Sequence, residues 1–293
     1  TQGVSSAASD VYKRQIVNGA ECEPYLTSDY RRMLEETDKL ILGLQICVNL
    51  FDKAKGIIAI EDNKPEAIAK ISEHLADNDK IEVKVLKTKY PQGAERQLIY
   101  ATTGRYVNSK MLPADAGCIV HNADTIVSIY EAVIEGKPLY TRIVTVTGDA
   151  IVNPCNLLVR NGTSCREIIE AAGGFKDGKL PEKIIAGGPM MGKTIVNDMF
   201  VVDRAMNALT VLPAANDDAI ACLRCGKCSD HCPSGLQPVR ITAALKANDV
   251  DEMSKRGVMS CIECGMCTYI CPSHIDVTEN VRKAKRIVML KKK

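Results

Sequence analysis

Two short cysteine-rich runs are the residues of this sequence whose spacing most directly indicates chemistry. CLRCGKCSDHCP at 222–233 and CIECGMCTYICP at 261–272 share the spacing C-x2-C-x2-C-x3-C-P. Three thiolates at this spacing surround three corners of a [4Fe–4S] cluster, and the fourth cysteine ligates the other cluster. The predicted metal ligands form two crossed sets: Cys222, Cys225 and Cys228 with Cys271, and Cys261, Cys264 and Cys267 with Cys232.

Other metal chemistry fits these runs less well. Structural zinc also uses C-x2-C pairs, but it separates the two pairs by a dozen or more residues. Haem attachment needs a histidine directly after a C-x-x-C pair, and neither run has one. Gly226 and Gly265 follow the second cysteine of each run, where a missing Cβ permits close approach of the backbone to a cluster. We therefore predict two clusters, fixed relative to each other, that exchange single electrons.

The elements that must position these cysteines are short helices. Beyond residue 213 the pattern predicts no strands, and it predicts helices over 238–247, 250–256 and 275–290. Each cysteine run is therefore expected on a loop between helices, within a C-terminal domain of residues 213–293.

The preceding residues alternate between strand and helix patterns. Strands are predicted at 56–62 and 80–89. Helices are predicted at 64–75, 94–102 and 123–135, and one more over apolar positions from Met33 to Val48. This alternation favours a layered α/β domain with a largely parallel sheet over residues 16–137.

Residues 138–212 have a different residue pattern, with more strand-like segments, and this pattern predicts a compact β-rich module. Its predicted elements are strands at 141–148, 156–160 and 182–188 and a helix at 163–174. A module of this size lies near the lower limit for independent folding.

Composition narrows the class of protein. Of the 293 residues, 46% are hydrophobic and 25% are charged, as in an ordinary soluble globular protein. Aromatic residues make up only 4%, with no Trp, which argues against a stacking surface for single-stranded nucleic acid. The net charge of +2 excludes a broad positive electrostatic field that would bind polyanions. We expect no nucleic-acid partner.

The sequence contains little indication of a membrane-spanning segment or a signal peptide. No apolar run reaches the ~20 residues that span a bilayer, and LILGLQICVNLF at 40–51 is interpreted as a buried helix. Residues 1–15 lack the apolar core of a signal peptide, and we expect them to be foreign or disordered sequence joined to a truncated reading frame. Thirteen cysteines, eight of them in the runs, favour a reducing compartment. The expected location is cytoplasmic.

Several segments together resemble a known family. They are NGAECEPYLTSD (18–29), GAERQLIYATTG (93–104), HNADT (121–125), GGPMMG (187–192) and the two cysteine runs. With these segments the sequence resembles the C subunit of the Rnf ion-translocating electron transport complex, from Ile16 to the C-terminus. More distantly it resembles the NADH-binding flavoprotein subunit of respiratory complex I. The implied fold class is α/β, with a flavin/NADH-type domain, a soluble-ligand-binding β-grasp-like module and an α-helical dicluster ferredoxin domain.

The resemblance also implies roles for five polar residues. Asn18, Glu21 and Asn122 would contact FMN, and Glu23 and Glu95 would be the catalytic residues on the NADH side. Taken without the family, acidic residues before a helix are ordinarily caps or dipole partners.

Two further expectations concern the surroundings of these residues. Thr27 or Ser28 is predicted to cap the helix that follows NGAECEP. Ala20 replaces an Asp of the family, so one polar contact is either absent or made by another group. The β-grasp-like module is interpreted as a spacer and not as a second ligand site.

One feature of both families is missing from this sequence. They carry a glycine-rich loop ahead of NGAECEP, whose backbone N–H groups cradle phosphates, whereas residues 1–15 contain one glycine. The later AGGPMMG at 186–192 matches no phosphate loop and is interpreted as a turn. We predict that the chain keeps part of the flavin site without its phosphate anchor, and binds FMN weakly or not at all.

The function that the resemblance implies is electron input to a membrane-bound NADH:ferredoxin oxidoreductase. NADH would reduce FMN, the clusters would carry single electrons, and membrane subunits would move Na+ or H+, with ferredoxin reached indirectly. The chain would lie peripherally on the cytoplasmic face of the bacterial inner membrane. Alternatives are a cobalamin reductase on the same scaffold and an electron-transfer module without an NADH site. The basic end VRKAKRIVMLKKK (281–293) fits either a solvated helix end or docking to an acidic partner or anionic lipid.

Overall fold

Two β-sheets and a set of short helices make up the computed structural model of the chain, which describes residues 14–176, 181–213 and 218–291. The chain divides into two compact units, the first ending at Ala214 and the second beginning at Ala215. The expectation for residues 1–15 falls outside the described residues, except that Arg14 and Gln15 begin the first strand.

The first sheet consists of four parallel strands flanked by helices. Its strands are β1 (Arg14–Gly19), β2 (Lys55–Glu61), β3 (Ile81–Leu86) and β4 (Cys118–Asn122). Its helices are α1 (Ser28–Glu35), α2 (Thr37–Asn49), α3 (Pro65–His74), α4 (Glu95–Thr103) and α5 (Ala123–Ile134), with a 3-10 turn at Pro113–Ala116. The strand order is β3-β2-β1-β4. The predicted α/β class with a parallel sheet is confirmed.

Hydrophobic core covers both faces of this sheet, because successive strand residues point to opposite sides. On one face Val17 and Ile58 pack in a cluster with Leu44 of α2. On the other face Ile16 and Ile57 pack in a second cluster. Each fully buried aliphatic side chain contributes about 1.5–3 kcal/mol, so both layers stabilise β1 at the centre and fix the loop that follows it.

The helix predicted through Met33 to Val48 is in fact two helices. Glu36 leaves the helical conformation, with φ −125° and ψ 39°. The hydroxyl of Thr37 donates to the Met33 carbonyl at 2.6 Å. A Thr side chain that binds this carbonyl competes with the backbone N–H for the same acceptor, which accounts for the break.

The second sheet is mixed and belongs to the same unit. Its strands are β5 (Thr141–Thr147), β6 (Cys155–Arg160), β7 (Pro181–Ala186), β8 (Lys193–Ile195) and β9 (Ala208–Pro213). They lie in the order β6-β5-β9-β7-β8, with β5 and β9 parallel and the other pairs antiparallel. Helix α6 (Cys165–Ala171) begins at a capping box formed by Ser164 and Glu167.

The second unit is helical over its described residues, 218–291. Its helices are α7 (Lys227–Asp230), α8 (Pro238–Lys246), α9 (Val250–Lys255), α10 (Met266–Tyr269) and α11 (Val277–Lys291), with a 3-10 turn at Val258–Ser260. Ile241, Met253 and Val281 belong to its core, where α8, α9 and α11 meet. In the described part of the chain, every helix is too short or too polar to cross a membrane.

Candidate functional site

The two cysteine loops have the same backbone course. Each position of the second run lies 39 residues after its counterpart in the first. Arg224 and Glu263 have positive φ angles of 55° and 57°. Gly226 and Gly265, with φ of 81° and 78°, precede the one-turn helices α7 and α10. Glycine adopts this left-handed conformation without strain, so these two glycines turn each chain segment around its cysteines.

Four of the predicted ligands line one cavity in the second unit. Cys261, Cys264 and Cys267 of the second run meet Cys232 of the first run around this cavity. Leu236 and Val281 are among the apolar residues that complete its wall.

Two of the thiols that line this cavity have raised pKa values because they are removed from solvent. Burial, together with the neighbouring Cys261, Cys264 and Cys232, raises the pKa of the Cys267 thiol to about 11, although the bond from Thr278 lowers it. Burial also raises the pKa of Cys261, while Lys285 opposes this effect. Thiols in such a place ionise readily only when a metal compensates the charge.

The other predicted set is less enclosed. Cys222 and Cys225 are exposed, and Cys228 and Cys271 are half-buried. Backbone contacts nevertheless link the two runs here: Ile220 N–H donates to the Ser273 carbonyl at 3.1 Å, and Ser273 Oγ donates to the Ala221 carbonyl at 3.2 Å. The residues just before Cys222 therefore lie beside those just after Cys271. This ligand set remains a prediction.

The donor set fits an iron–sulfur cluster in the Cys232 and Cys261 cavity, since four thiols converge there within an apolar wall. Within the described residues, no three His, Cys, Asp or Glu side chains form a group that could hold a metal ion by itself. The ligands of a cluster surround four irons rather than one.

The first unit has a second candidate site, at the carboxyl edge of the parallel sheet. Asn18 of β1 and Asn122, the last residue of β4, are paired across the sheet. The chain passes from β1 to β2 and β3 on one side, whereas β4 lies on the other side, so the strand order reverses between these residues. Open α/β sheets bind ligands outside the carboxyl ends of the strands at such a point.

Both asparagine side chains are held by the protein. Asn18 Nδ2 donates to the Gly93 carbonyl at 2.8 Å, and its Oδ1 accepts from Ala20 N–H at 3.3 Å. Asn122 caps α5, because its Oδ1 accepts from Asp124 N–H at 2.9 Å. Its Nδ2 donates to Asp29 Oδ2 at 2.8 Å.

Glu21 caps α1 from outside the helix. Its carboxylate accepts from Asp29 N–H at 2.7 Å and from Tyr30 N–H at 3.1 Å. Thr27 makes no side-chain cap bond and the Ser28 hydroxyl is buried without a described partner, so the prediction of a cap by either residue is wrong. Burial, followed by the nearby Asp29 carboxylate, raises the pKa of Glu21 to about 7.

Glu23 connects the edge of the first sheet to the second sheet. Its Oε1 accepts from the N–H groups of Met190 and Met191 at 2.7 and 2.9 Å. Tyr90 donates its hydroxyl to the other oxygen at 3.3 Å. A Cβ at Gly188 would overlap the Cγ of Glu23. The GGPMMG segment thus forms the turn that its sequence predicts. The backbone N–H groups of this turn bind the carboxylate of Glu23, a predicted catalytic residue.

Glu95 lies apart from the other four. It is the first residue of α4 and is exposed. Asn18 and Asn122 lie at the carboxyl ends of β1 and β4, and Glu21 and Glu23 lie in the loop that follows β1. No bond of Glu95 to these four residues occurs among the described residues.

Three residues of this edge are not selected by the sequence patterns. Buried Asp29 bonds Asn122, Tyr90 bonds Glu23, and buried Lys64 donates to the Ala20 carbonyl at 2.7 Å. Asp29 ends the NGAECEPYLTSD segment and could have been found there. No local pattern marks Lys64, whose burial follows from the sheet.

The fit of FMN to this edge is incomplete. Residues 20–27, which leave the end of β1, contain no glycine, and the side chains of Asn18 and Asn122 already have protein partners. No phosphate cradle occurs at this edge among the described residues. No reaction step is therefore assigned to FMN at these residues.

Three protein families match successive parts of the chain. They are the Nuo51 FMN-binding domain at residues 4–131, the SLBB domain at 143–194 and the 4Fe-4S dicluster domain at 214–272.

Three relatives agree with these domain matches. The chain is 43% identical over 281 residues to the C subunit of the Na(+)-translocating ferredoxin:NAD(+) oxidoreductase complex of Acetobacterium woodii, covering 95% of this chain and 63% of the relative. It is 46% identical over 226 residues to the proton-translocating counterpart of Clostridium ljungdahlii, covering 76% and 49%. It is 39% identical over 248 residues to the C subunit of the ion-translocating oxidoreductase complex of Rhodobacter capsulatus, covering 83% and 47%. The chain thus spans less than two thirds of each relative's length.

Solved structures support the fold alone. An air-oxidized NAD+-reducing [NiFe]-hydrogenase matches with a TM-score of 0.58 and 16% identity, over 84% of this chain and 48% of that one. The H2-reduced form matches with a TM-score of 0.57 and 14% identity, over 94% and 54%.

Proposed function

Because this chain is a homologue of the C subunits of ion-translocating ferredoxin:NAD+ oxidoreductase complexes, we propose that it is the peripheral electron-input subunit of such a complex. Electrons would pass between NADH, FMN and two [4Fe–4S] clusters. The proposed partners are membrane subunits that move Na+ or H+, with ferredoxin reached indirectly. The proposed location is the cytoplasmic face of the bacterial inner membrane.

The observation that carries this proposal is the meeting of Cys232 with Cys261, Cys264 and Cys267 around one cavity. A cysteine from the first run completes the ligand set of the second run, as crossed coordination requires. Two clusters ligated in this way would be held close together by the chain itself, which suits rapid electron exchange.

Bound clusters would supply one-electron transfer, and FMN would supply the exchange between a hydride and single electrons. The chain's own residues hold the ligands and exclude water. Lys285 donates to the Cys261 carbonyl at 2.9 Å and to Glu263 at 2.8 Å, which fixes the second loop on α11. Cys264 is buried, so its thiolate would lie away from solvent.

The test uses the full chain, reconstituted anaerobically with iron, sulfide and an excess of FMN. Addition of NADH should reduce the clusters, seen as a low-temperature EPR signal, with dithionite defining complete reduction. Reduction by dithionite but not by NADH would contradict NADH input.

That outcome would support a second candidate, an electron-transfer module without its own NADH site. The carboxylate of Glu23, a residue predicted on the NADH side, already accepts bonds from Met190, Met191 and Tyr90, which favours this candidate. In that case a separate flavoprotein would have to deliver the electrons.

A further inference from the structure

The 39-residue repeat allows the two cysteine loops to be compared position by position. Cys267 corresponds to Cys228, and the helix that follows each run, α11 or α8, is also equivalent. At one equivalent position the halves differ in chemistry: α11 has Thr278 where α8 has Val239. A hydroxyl therefore stands in one half where the other half has only methyl groups.

Thr278 contacts a predicted ligand. Its Oγ1 lies 3.3 Å from the sulfur of Cys267, and the residue is only 5% exposed. A cysteine that ligates iron is a thiolate, which can accept a hydrogen bond but cannot donate one. In the liganded state Thr278 must therefore be the donor of this bond.

The neighbours of Thr278 leave its proton available for this role. Thr268 donates its hydroxyl to Thr278 Oγ1 at 2.8 Å, and Thr278 N–H donates to Thr268 Oγ1 at 2.8 Å. Asp276 Oδ1, 3.2 Å from the Thr268 hydroxyl, is an alternative acceptor for its single proton. These contacts hold the Thr278 side chain. When the Thr268 hydroxyl donates to Thr278, the Thr278 O–H is available to donate to Cys267 Sγ.

We propose that the Thr278 hydroxyl raises the reduction potential of the cluster held by Cys232, Cys261, Cys264 and Cys267, and thereby makes the two clusters unequal. Hydrogen bonds to ligating sulfurs stabilise the more negative, reduced cluster and raise its potential. The effect is strong in a buried site, because water does not screen the dipole. The inference rests on the proposed function in one respect, namely that these cysteines hold clusters.

The charged groups nearby do not replace this bond. Glu263 is paired with Lys285 at 2.8 Å and with Arg282 at 3.3 Å, so their charges offset one another in part. All three belong to the loop and α11, and they remain in place when only the Thr278 hydroxyl is changed.

An EPR-monitored redox titration of the anaerobically reconstituted full chain tests the proposal. Thr278→Val keeps the shape and removes the hydroxyl, and it should move one of two reduction steps to lower potential while the other stays fixed. Thr278→Ser keeps the hydroxyl and should restore the original potential. Thr242→Val is the matched control, since the buried Thr242 hydroxyl of α8 has no described partner, and it should move neither step.

Iron content separates failure of this inference from failure of the proposed function. Fewer than about eight irons in the unchanged chain would show that it does not hold two clusters, and the proposed function would then fail. With full iron, an unchanged titration of Thr278→Val, or equal shifts of both steps, would overturn the role of Thr278. Loss of iron in Thr278→Val would assign it a structural role instead and would also overturn the proposal.

Discussion

Cys232 and Cys261 line one cavity although 29 residues separate them in the chain. Cys232 belongs to the first run, yet its thiol faces the cavity of the second. The predicted crossed sets would make the two runs interdependent, because each run would take its fourth ligand from the other.

The first prediction concerns this crossing. Cys232→Ser should remove the cluster of the second loop and leave the cluster of the first, so reconstituted protein should contain about four irons in place of about eight. Cys155→Ser, a half-buried cysteine of β6 outside the runs, is the control and should leave the iron content unchanged.

Double variants identify which cluster is lost. Cys232→Ser combined with Cys264→Ser should cost no more iron than either change alone. Cys232→Ser combined with Cys225→Ser should remove nearly all iron. The reverse pattern would show that Cys232 serves its own run.

A second prediction concerns the contact between the two sheets. Gly188→Ala places a methyl group against Glu23 and should destabilise the first unit by about 1–3 kcal/mol, as overpacking does. The double variant Glu23→Ala/Gly188→Ala removes the obstacle. It should be more stable than the sum of the single effects implies, and strict additivity in urea unfolding would contradict the contact.

A third prediction concerns a buried ion group in the first unit. Asp124 Oδ1 accepts from Arg32 Nε at 2.8 Å, and its other oxygen lies 3.5 Å from Arg142. Asp124→Ala leaves two buried guanidinium groups without this partner and should cost about 3–5 kcal/mol. Asp198→Ala breaks the exposed pair with Arg166 and should leave the unfolding midpoint nearly unchanged. Equal losses in urea unfolding would contradict the account.

A fourth prediction concerns pH. The pKa of Glu21 is raised from 4.5 to about 7, so between these values the folded chain binds more protons than the unfolded chain. The contribution of Glu21 to stability is therefore highest below pH 4.5 and is lost as the pH rises to about 7. The slope for this one group is at most about 1.4 kcal/mol per pH unit.

Glu21→Gln should remove that dependence. The free energy of unfolding of the unchanged chain should fall relative to the variant as the pH rises through this window. Tyrosine fluorescence reports on the first unit, since eight of the nine tyrosines precede residue 215. Glu35→Gln, on the exposed face of α1, is the control, and a pH-independent difference for Glu21→Gln would contradict the prediction.

Local pattern is sufficient for most elements of the fold. Strand β2, helix α3 and helix α11 lie within two residues of their predicted bounds, because periodicity and proline positions are local signals. Strands β1 and β4 are not predicted from the pattern, since they are short and their pairing depends on residues about 100 positions apart.

The two candidate sites also differ in how far a local sequence pattern predicts them. The cysteine spacing is a local pattern that carries its chemistry with it. The hydrogen bonds from the Met190 and Met191 N–H groups to Glu23 form only because the two sheets lie close together. No residue spacing within NGAECEP indicates this contact. For this reason the sequence alone suggests a spacer in the β-grasp-like module, although the module contacts the sheet edge directly.

The most direct test of the central claim is the iron, sulfide and zinc content of anaerobically reconstituted full chain, per polypeptide. Two [4Fe–4S] clusters require about eight irons and about eight sulfides, with no zinc. About four irons, or zinc in place of iron, would contradict this claim.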